Sequence, residues 1–277
     1  MTGKWTRKWP TAWAMAILTA IFGVVLFAEW TAPNGYERQF RESISTPPSS
    51  QFPLGTDSLG RDRFARLLYG SRLSLLLAPA AAAISVLLAA IVGALAAFGG
   101  KRWGRWLVIL SDLALSLPWL FLLITIRASL PLDVTPEISI AITFLLLGLL
   151  GWAGPSKVIR AGVKKIVESD YIFQARAMGT SNWRIFYSYV LPNTRPLLSA
   201  QFWIALPVFI LSEANLGALG LSVTEPLPSW GNLLRELESQ TAALANPMAN
   251  WWLLAPVALL ISFVSLLQLM RVSKGSV

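Results

Sequence analysis

Long apolar runs separated by short polar stretches dominate the pattern along this chain of 277 residues. Six of these runs approach the roughly 20 residues that a helix needs to cross the hydrocarbon core of a bilayer. The pattern therefore predicts an all-α polytopic membrane protein with six transmembrane helices. The predicted spans are Thr11–Ala28, Leu73–Phe98, Trp106–Ile126, Ile138–Ala153, Leu197–Leu221 and Trp251–Met270.

The same pattern predicts how the chain is divided. The first transmembrane helix lies within 11–30 and follows an N-terminal segment, 1–10. A loop with an interfacial helix, 31–72, leads to a core of five helices, 73–270, and a tail, 271–277. A cleaved signal peptide is the alternative for the first span, because Lys4, Arg7 and Lys8 precede it. Its length and the lack of a small-x-small site favour an uncleaved span.

Composition supports a membrane protein and limits the chemistry. The chain is 55% hydrophobic and 13% charged, against about 25% charged residues in soluble domains. It contains no Cys and no His, which excludes thiolate and imidazole metal sites and also Ser-His-Asp and Cys-His catalysis. No metal site and no catalytic residue is predicted.

The distribution of basic residues predicts the orientation. With the N-terminus inside, the inner segments 1–10, 99–105, 154–196 and 271–277 hold 15 of the 23 Lys and Arg residues. Cytoplasmic loops are enriched in Lys and Arg, so we expect both termini in the cytoplasm. The net charge of +9 is then mostly an orientation signal, and no nucleic-acid partner is predicted.

The longest inner loop, 157–196, has an ordered pattern. Residues 171–178 read YIFQARAM, a run of helix-forming residues, and Gly179 suits the positive-φ position after a helix. A second predicted helix, WRIFYSYV, ends at Leu191-Pro192 directly before the fifth span. A DNA-binding helix-turn-helix has a similar length, but this second helix runs into a span and is not free to enter a groove.

This loop resembles the coupling loop of bacterial ABC-importer permeases, whose pattern is Glu-Ala-Ala, three residues, Gly, and Leu-Pro 12 and 13 positions after the Gly. Ala175, Gly179, Leu191 and Pro192 match that pattern, whereas Phe173 and Gln174 stand in place of the Glu and the first Ala. The resemblance implies a type I importer permease fold with a cytoplasmic coupling helix between helices 4 and 5. It implies ATPase-coupling residues, namely Tyr171, Gln174, Ala175, Arg176, Gly179, Leu191 and Pro192.

Further segments resemble the dipeptide/oligopeptide/nickel branch of this family. They are Phe52–Leu75, Glu213–Leu221 and Pro228–Asn232, in family order and spacing. The residues of the first that carry an external family motif are Gly55, Thr56, Asp57, Gly60, Arg61 and Asp62. In this motif we expect Gly55 and Gly60 to form turns and Thr56 or Asp57 to cap the interfacial helix. Arg61, Asp62, Arg63 and Arg66 would form its charged face. Catalysis by Asp57 and Asp62 is disfavoured, since no base or metal ligand accompanies them.

The resemblance also implies partners. These are a second homologous permease subunit in a heterodimer, two ATPase subunits and an external substrate-binding protein. The chain itself is expected in the inner membrane of a bacterium. The chain has no G-x-x-x-x-G-K-[ST] loop, so ATP and Mg are expected on the ATPases and no cofactor on this chain. Peptides, nickel chelates, opines and sugars are the candidate solutes. A secondary transporter driven by an ion gradient and a non-transporting scaffold subunit are the alternatives.

Charged residues inside the spans are the remaining candidates. Asp112 lies in the third predicted span and Glu213 in the fifth. A carboxylate inside a bilayer is costly and usually faces protein or water. Asp112 is interpreted as a pathway residue or interhelical partner, or as a structural acceptor for a Ser or a Trp N–H. For Glu213 we expect either a contact with the transport pathway or a local hydrogen bond near Asn215.

Overall fold

A computed structural model of the chain describes residues 9–129, 135–221, 223–240 and 245–274. These ranges are mostly helical, and within them the only β pairing is two isolated bridges, Gln39 with Arg61 and Thr56 with Asp62. The predicted all-α class is therefore confirmed. Residues 1–8 of the predicted N-terminal segment and 275–277 of the predicted tail lie outside the described ranges.

The helices follow the apolar runs, because a helix satisfies its own backbone hydrogen bonds inside an apolar medium. A π-helix, Phe186–Val190, and a 3-10 helix, Trp251–Leu254, accompany the α-helices. The α-helices in the described ranges are α1 (Trp9–Leu26), α2 (Ala28–Thr31), α3 (Arg63–Phe98), α4 (Gly100–Ser116), α5 (Trp119–Ala128), α6 (Pro136–Leu150), α7 (Ala153–Val167), α8 (Asp170–Ala177), α9 (Asn182–Ile185), α10 (Leu191–Ala218), α11 (Trp230–Ser239) and α12 (Ala255–Lys274).

Four helical stretches in the described ranges are long and apolar enough to cross a membrane. They are Arg63–Phe98, Pro136–Val167, Asn182–Ala218 and Trp251–Leu269, and each overlaps one predicted span. The first predicted span forms α1 and the start of α2, where several side chains lie outside the description. The total of six spans stays a prediction.

The third predicted span, Trp106–Ile126, is not one straight helix. It breaks between α4 and α5, which meet at an angle of 76°. Leu117 at the break is extended, with ψ of 133°. Pro118 follows it, and a proline disfavours the helical conformation of the residue before it. Helices α4 and α5 are long enough to cross a membrane only when they are taken together as one bent span.

The predicted separate interfacial helix in 31–72 is wrong. Helix α3 starts at Arg63 and runs unbroken to Phe98, so the charged turn and the apolar run form one helix of 36 residues. Good helix formers continue across the boundary between them. On its apolar part, Leu87, Ile91 and Leu95 recur every fourth residue and are exposed. Such a face fits lipid or another membrane helix.

The described residues group into two compact units. The first comprises residues up to Ala78, Arg127–Phe144 and the residues from Ile210 onward, and in it α12 packs against α1 and α11. The second comprises Pro79–Ile126 and Leu145–Phe209, and in it α4 packs against α7. The second unit contains a buried apolar cluster of Ala89, Ile159, Val163, Ile172, Ile185 and Val190.

Candidate functional site

The predicted coupling helix is α8, Asp170–Ala177, and it has an inner and an outer face. Ile172 and Ala175, three residues apart, are 0% and 1% exposed. Tyr171, Gln174 and Arg176 are exposed on the remaining surface. Ala175, predicted as a coupling residue, therefore lies on the inner face, where it packs and does not meet a partner. The other three are available for contact.

The inner face of α8 is fixed to the second unit. Ile172 belongs to the same buried cluster as Ile159 and Val163 of α7 and as Ile185 and Val190 of the segment that follows the turn. Full burial of one such aliphatic side chain contributes about 1.5–3 kcal/mol. A displacement of α8 is therefore transmitted to α7 and to the helix that begins at Asn182.

Gly179 forms the predicted turn after α8. Its φ is +80°, the Thr180 N–H donates to the Ala175 carbonyl over 3.0 Å, and the Gly179 N–H donates to the Arg176 carbonyl over 2.9 Å. These two bonds define a Schellman motif, which requires a left-handed residue at the position of Gly179. A Cβ at Gly179 would meet nothing within 4 Å. The backbone conformation, not space, is what requires glycine here.

Pro192 does not end the second helix as predicted. Helix α9 continues through the π-helix Phe186–Val190 into α10, so that Asn182–Ala218 is one uninterrupted helical stretch. A proline ring normally clashes with the carbonyl four residues before it. Here the Leu191 N–H donates to the Phe186 carbonyl, five residues back, just before the proline. This wider turn accommodates Pro192, which is exposed, while Leu191 lines an apolar cavity of about 520 Å³.

Large apolar side chains near the turn were not among the predicted site residues. Phe173, Met178 and Trp183 are 74%, 79% and 73% exposed, and Trp183 stacks with exposed Tyr187 at 5.9 Å between ring centroids. Clustered exposed apolar groups mark an interaction surface. The signal was present in the sequence, because Phe173 occupies the position of the family's acidic residue. We call Phe173, Met178, Trp183 and Tyr187, which are exposed on either side of the turn at Gly179, the aromatic face.

Asp112 forms an ion pair with Lys157 and thereby joins α4 to α7. Both side chains are about half exposed in the isolated chain. Asp112 is not the acceptor for a Ser or a Trp N–H that we considered. The nearby serine hydroxyls, Ser111 and Ser156, bond to backbone carbonyls and lie 3.2 Å from each other.

Glu213 and Asn215 lie on different faces of α10. Glu213 is fully buried and Asn215 is exposed. Residues two apart on a helix do not face each other. The predicted local hydrogen bond of Glu213 in the region of Asn215 stays a prediction. The buried face of α10 meets α11 closely, because a Cβ on Gly231 would lie 2.4 Å from the Cα of Gly217 and 3.1 Å from the Glu213 carbonyl.

The external family motif forms a tight loop in the first unit. Gly55 and Gly60 have φ of +70° and +73°, which confirms the predicted turns. A Cβ at either position would lie 2.3 Å from a backbone carbonyl, of Thr46 and Phe40 respectively. Both glycines are therefore required by conformation and by space.

Four charged residues form an ion cluster beside this loop: Asp57, Arg61, Arg66 and Glu225. Asp57 accepts from the backbone N–H of Arg61 over 2.8 Å and from its Nε over 2.7 Å. The Arg61 Nη1 and the Arg66 Nη2 lie 2.5 Å and 3.0 Å from carboxylate oxygens of Glu225. The predicted charged helix face is wrong, because Arg61 and Asp62 precede α3 and are buried and the Arg66 side chain is 1% exposed. The ion pairs compensate the cost of burying its charge.

Asp62, not Thr56 or Asp57, caps helix α3. Its carboxylate accepts the Phe64 N–H over 2.9 Å and the Asn34 side-chain amide over 3.0 Å. The buried Thr56 hydroxyl instead donates to the Ser43 carbonyl over 2.5 Å and so closes the loop on itself. Asp57 and Asp62 both accept hydrogen bonds that hold this loop and the start of α3.

A second ion pair links α3 to α11. Arg63 Nη2 lies 3.0 Å from Glu236 Oε1. Burial raises the pKa of Glu236, and this effect outweighs the attraction of Arg63. For Arg61, burial disfavours the charge, but the hydrogen bond to Asp57 and the charges of Asp57 and Glu225 raise its pKa overall. The described part of the chain contains no group of three or more Asp and Glu side chains that could hold a metal ion.

The chain has several apolar helices of membrane length, and a helix-turn-helix loop that carries the aromatic face lies between two of them. These features define a polytopic integral membrane protein. Residues 85–272 match the family described as binding-protein-dependent transport system inner membrane component. The chain belongs to this family of ABC-importer permeases, and its relatives place it in the peptide branch.

Three relatives illustrate the similarity. The chain is 38% identical over 216 residues to the di/tripeptide transport system permease protein DppC of Pseudomonas aeruginosa, covering 76% of this chain and 69% of the relative. It is 30% identical over 230 residues to the dipeptide transport system permease protein DppC of Bacillus subtilis, with coverages of 82% and 70%. It is 28% identical over 219 residues to the oligopeptide transport system permease protein OppC of Bacillus subtilis, with coverages of 79% and 70%.

Proposed function

We propose that this chain is one of two membrane subunits of an ATP-driven importer of dipeptides or short oligopeptides. Its partners are a homologous permease subunit, two ATPase subunits that bind ATP and Mg, and an external binding protein that delivers the peptide. The names of the relatives support the substrate class. The chain itself translocates the solute and does not hydrolyse ATP.

The observation that carries the proposal is the division of α8 into two faces. The inner face, Ile172 and Ala175, is buried in the second unit. The outer aromatic face leaves Phe173 and Met178 free to enter a groove on a partner. A helix that is bound on both sides transfers displacement from one to the other, which is the task of a coupling helix.

The transport step is alternating access. ATP binding closes the two ATPases and is the event that distinguishes the two states, because a ligand shifts an equilibrium only through its differential affinity. Helix α8 moves with the ATPase to which it is bound. The Schellman turn at Gly179 and the continuous helix Asn182–Ala218 carry that movement into the bundle.

The orientation follows from the charges. The loop that contains α8 has seven of the 23 basic residues, within 154–196, and the proposal places it in the cytoplasm with both termini. The ion cluster of Asp57, Arg61, Arg66 and Glu225 is then on the outer side of a bacterial inner membrane, where the binding protein docks.

Purification and reconstitution test the proposal. A tagged full-length chain should co-purify with ATPase subunits and a second permease. Proteoliposomes of that complex should take up labelled dipeptide when ATP and the binding protein are present. Uptake driven by a proton or sodium gradient, without ATPases, would favour a secondary transporter. The absence of any uptake from an intact complex would favour a scaffold role.

A further inference from the structure

A cavity of about 520 Å³ in the second unit lies between the end of α3, the first turns of α4 and the last turns of α7. Helix α4 approaches α3 closely on one side of it, since a Cβ on Gly104 would lie 2.6 Å from the Ala96 carbonyl. This volume is larger than a water site and sufficient for a small ionic group.

The lining of this cavity is strongly basic. Arg105, Arg160 and Lys164 line it together with a single carboxylate, Glu168. A carboxylate oxygen of Glu168 lies 3.6 Å from the ammonium group of Lys164, which is four residues earlier in the chain. These two charges therefore balance each other. Among the described residues, no carboxylate lies within 4.0 Å of Arg105 or Arg160. Two guanidinium groups therefore face the cavity with their charge uncompensated.

Arg160 supplies a second observation. Its Nε atom is buried and hydrogen-bonds to no described residue. A buried donor without an acceptor costs about 1–3 kcal/mol, so such a group in a native protein needs an explanation. The Nε atom is not accessible from the cavity, so an anion there would be held by the terminal nitrogens of the Arg160 guanidinium and would offset its charge.

The start of α4 adds positive potential. This helix of 17 residues begins at Gly100, which lines the cavity, and its N-cap residue Gly99 provides no side-chain hydrogen bond. The N–H groups of a first helical turn and the helix dipole favour an anion at that end. Guanidinium groups beside the positive end of a helix dipole suit a phosphate group.

The surroundings of the cavity locate it near the membrane surface. Trp103 and Trp106, on either side of Arg105, are 74% and 68% exposed. Tryptophan is enriched at the level of the lipid headgroups, and basic pockets between helices on the cytoplasmic side bind anionic headgroups. Apolar residues such as Ala97 and Val108 line the rest of the cavity and suit the first part of a lipid acyl chain.

We propose that this cavity binds a phosphate group through Arg105 and Arg160, carried either by an anionic phospholipid or by a soluble phosphate ester. The site is adjacent to α8 along the chain, but its occupancy does not depend on the transport function proposed above. Binding is therefore measured directly, without a transport assay.

The lipid arm of the test uses the full-length chain in nanodiscs of phosphatidylcholine with a minor fraction of fluorescent phosphatidylglycerol, whose enrichment at the protein is measured. The soluble arm measures displacement of that lipid, or direct binding, with glycerol 3-phosphate. Enrichment of the lipid alone identifies a lipid headgroup as the ligand, and binding of the soluble ester identifies a free phosphate.

The variants Arg105→Gln and Arg160→Gln should each weaken binding at least about tenfold, since each loses a charged hydrogen bond to the phosphate. Arg102→Gln is the matched control, because Arg102 is an exposed arginine of the same helix turn that does not line the cavity. It should leave binding unchanged, and Arg160→Lys should retain most of it. If Arg160→Gln does not fold, as judged by its melting temperature, Arg105→Gln carries the test. Absence of binding in both arms for the wild type, or an equal loss in Arg102→Gln, would overturn the proposal.

Discussion

The Arg66 guanidinium is buried, and its Nη2 lies 3.0 Å from a carboxylate oxygen of Glu225, a residue 159 positions later in the chain. Arg66 also donates to the Pro226 carbonyl over 3.2 Å. One side chain of α3 thereby fixes the segment that leads to α11. Glu225 is half exposed, so the buried arginine depends on a carboxylate that solvent can reach.

Replacing Glu225 by Gln should destabilise the protein. The amide leaves the Arg66 and Arg61 charges without their shared carboxylate, and the loss of a charged hydrogen bond costs about 1.5–3 kcal/mol. The melting temperature of the purified protein in detergent measures the effect. Glu42→Gln, at an exposed position, is the control and should change it little. An equal melting temperature for Glu225→Gln and the wild type would contradict the role of the cluster.

Gly179→Val should uncouple transport without preventing membrane insertion. A non-glycine residue in the left-handed region costs about 1–2 kcal/mol, and more when it is β-branched. Since no atom lies within 4 Å of the new Cβ, the defect is one of turn conformation. ATP-driven uptake and ATPase association should fall, at an unchanged protein level in the membrane. Gly179→Asn, which tolerates positive φ, should retain most activity. Normal uptake and assembly in Gly179→Val would argue against the coupling role.

Substitutions at two adjacent residues of α8, Phe173 and Ile172, should change different properties of the protein. Phe173→Ala should weaken ATPase association and leave the melting temperature unchanged, because Phe173 is exposed. Ile172→Ala should lower the unfolding free energy by about 2–5 kcal/mol, because Ile172 is fully buried. Co-purification and thermal unfolding separate the two effects. If Phe173→Ala retained full ATPase binding, the aromatic face would not be the docking surface.

Glu236 should give the stability a pH dependence. Burial raises its pKa in the folded state above the ordinary value of 4.5, so the folded state holds the proton more tightly than the unfolded chain. Stability should then fall as pH rises from about 4.5 through the raised pKa. Glu236→Gln, neutral at every pH, should remove this fall and unfold at a higher temperature than the wild type above that window. Glu238→Gln on the exposed side of α11 is the control and should retain the wild-type profile.

The absence of Cys from the sequence makes the orientation directly testable. Single cysteines at two exposed positions, Ser50→Cys and Arg176→Cys, are treated with a maleimide that does not cross membranes. The Ser50→Cys variant should react in intact cells whose outer membrane is permeable to the maleimide. The Arg176→Cys variant should react only after the inner membrane is opened. The reverse pattern would place α8 on the outer side and exclude contact with cytoplasmic ATPases.

Local patterns predicted the parts of the fold that depend on local physics. Apolar runs located the helices, and YIFQARAM located α8 to within one residue at each end. Gly179 was correctly predicted at positive φ, and Gly55 and Gly60 were correctly predicted in turns. The effect of a proline was predicted less well: Pro192 was expected to end a helix that a wider turn allows to continue, and Pro118 breaks a span that the pattern treated as continuous.

The remaining features depend on residues far apart in sequence. From the sequence, Arg66 is predicted as a charged residue on a polar helix face, because its partner Glu225 lies 159 positions later. Ala175 matches the family pattern, yet it is 1% exposed, and its helix neighbour Ile172 packs with residues of α7 and of the segment after Gly179. The basic cavity forms because α4 and α7 pack together. Arg105 and Arg160 therefore line the same cavity, although 55 positions separate them in the chain. A single sequence does not reveal these contacts.

The π-helix at Phe186–Val190 fixes the rotational register between the two ends of the helix that runs from Asn182 to Ala218. One residue of an α-helix corresponds to about 100° of rotation. A π turn holds one residue more than an α turn over the same length of helix. Removing a residue from a regular part of this helix would swing the segments on either side by roughly a quarter of a circle relative to each other. A deletion within the wide turn is instead absorbed as that turn closes to α-helical geometry, so the direction of Trp183 relative to α10 survives it.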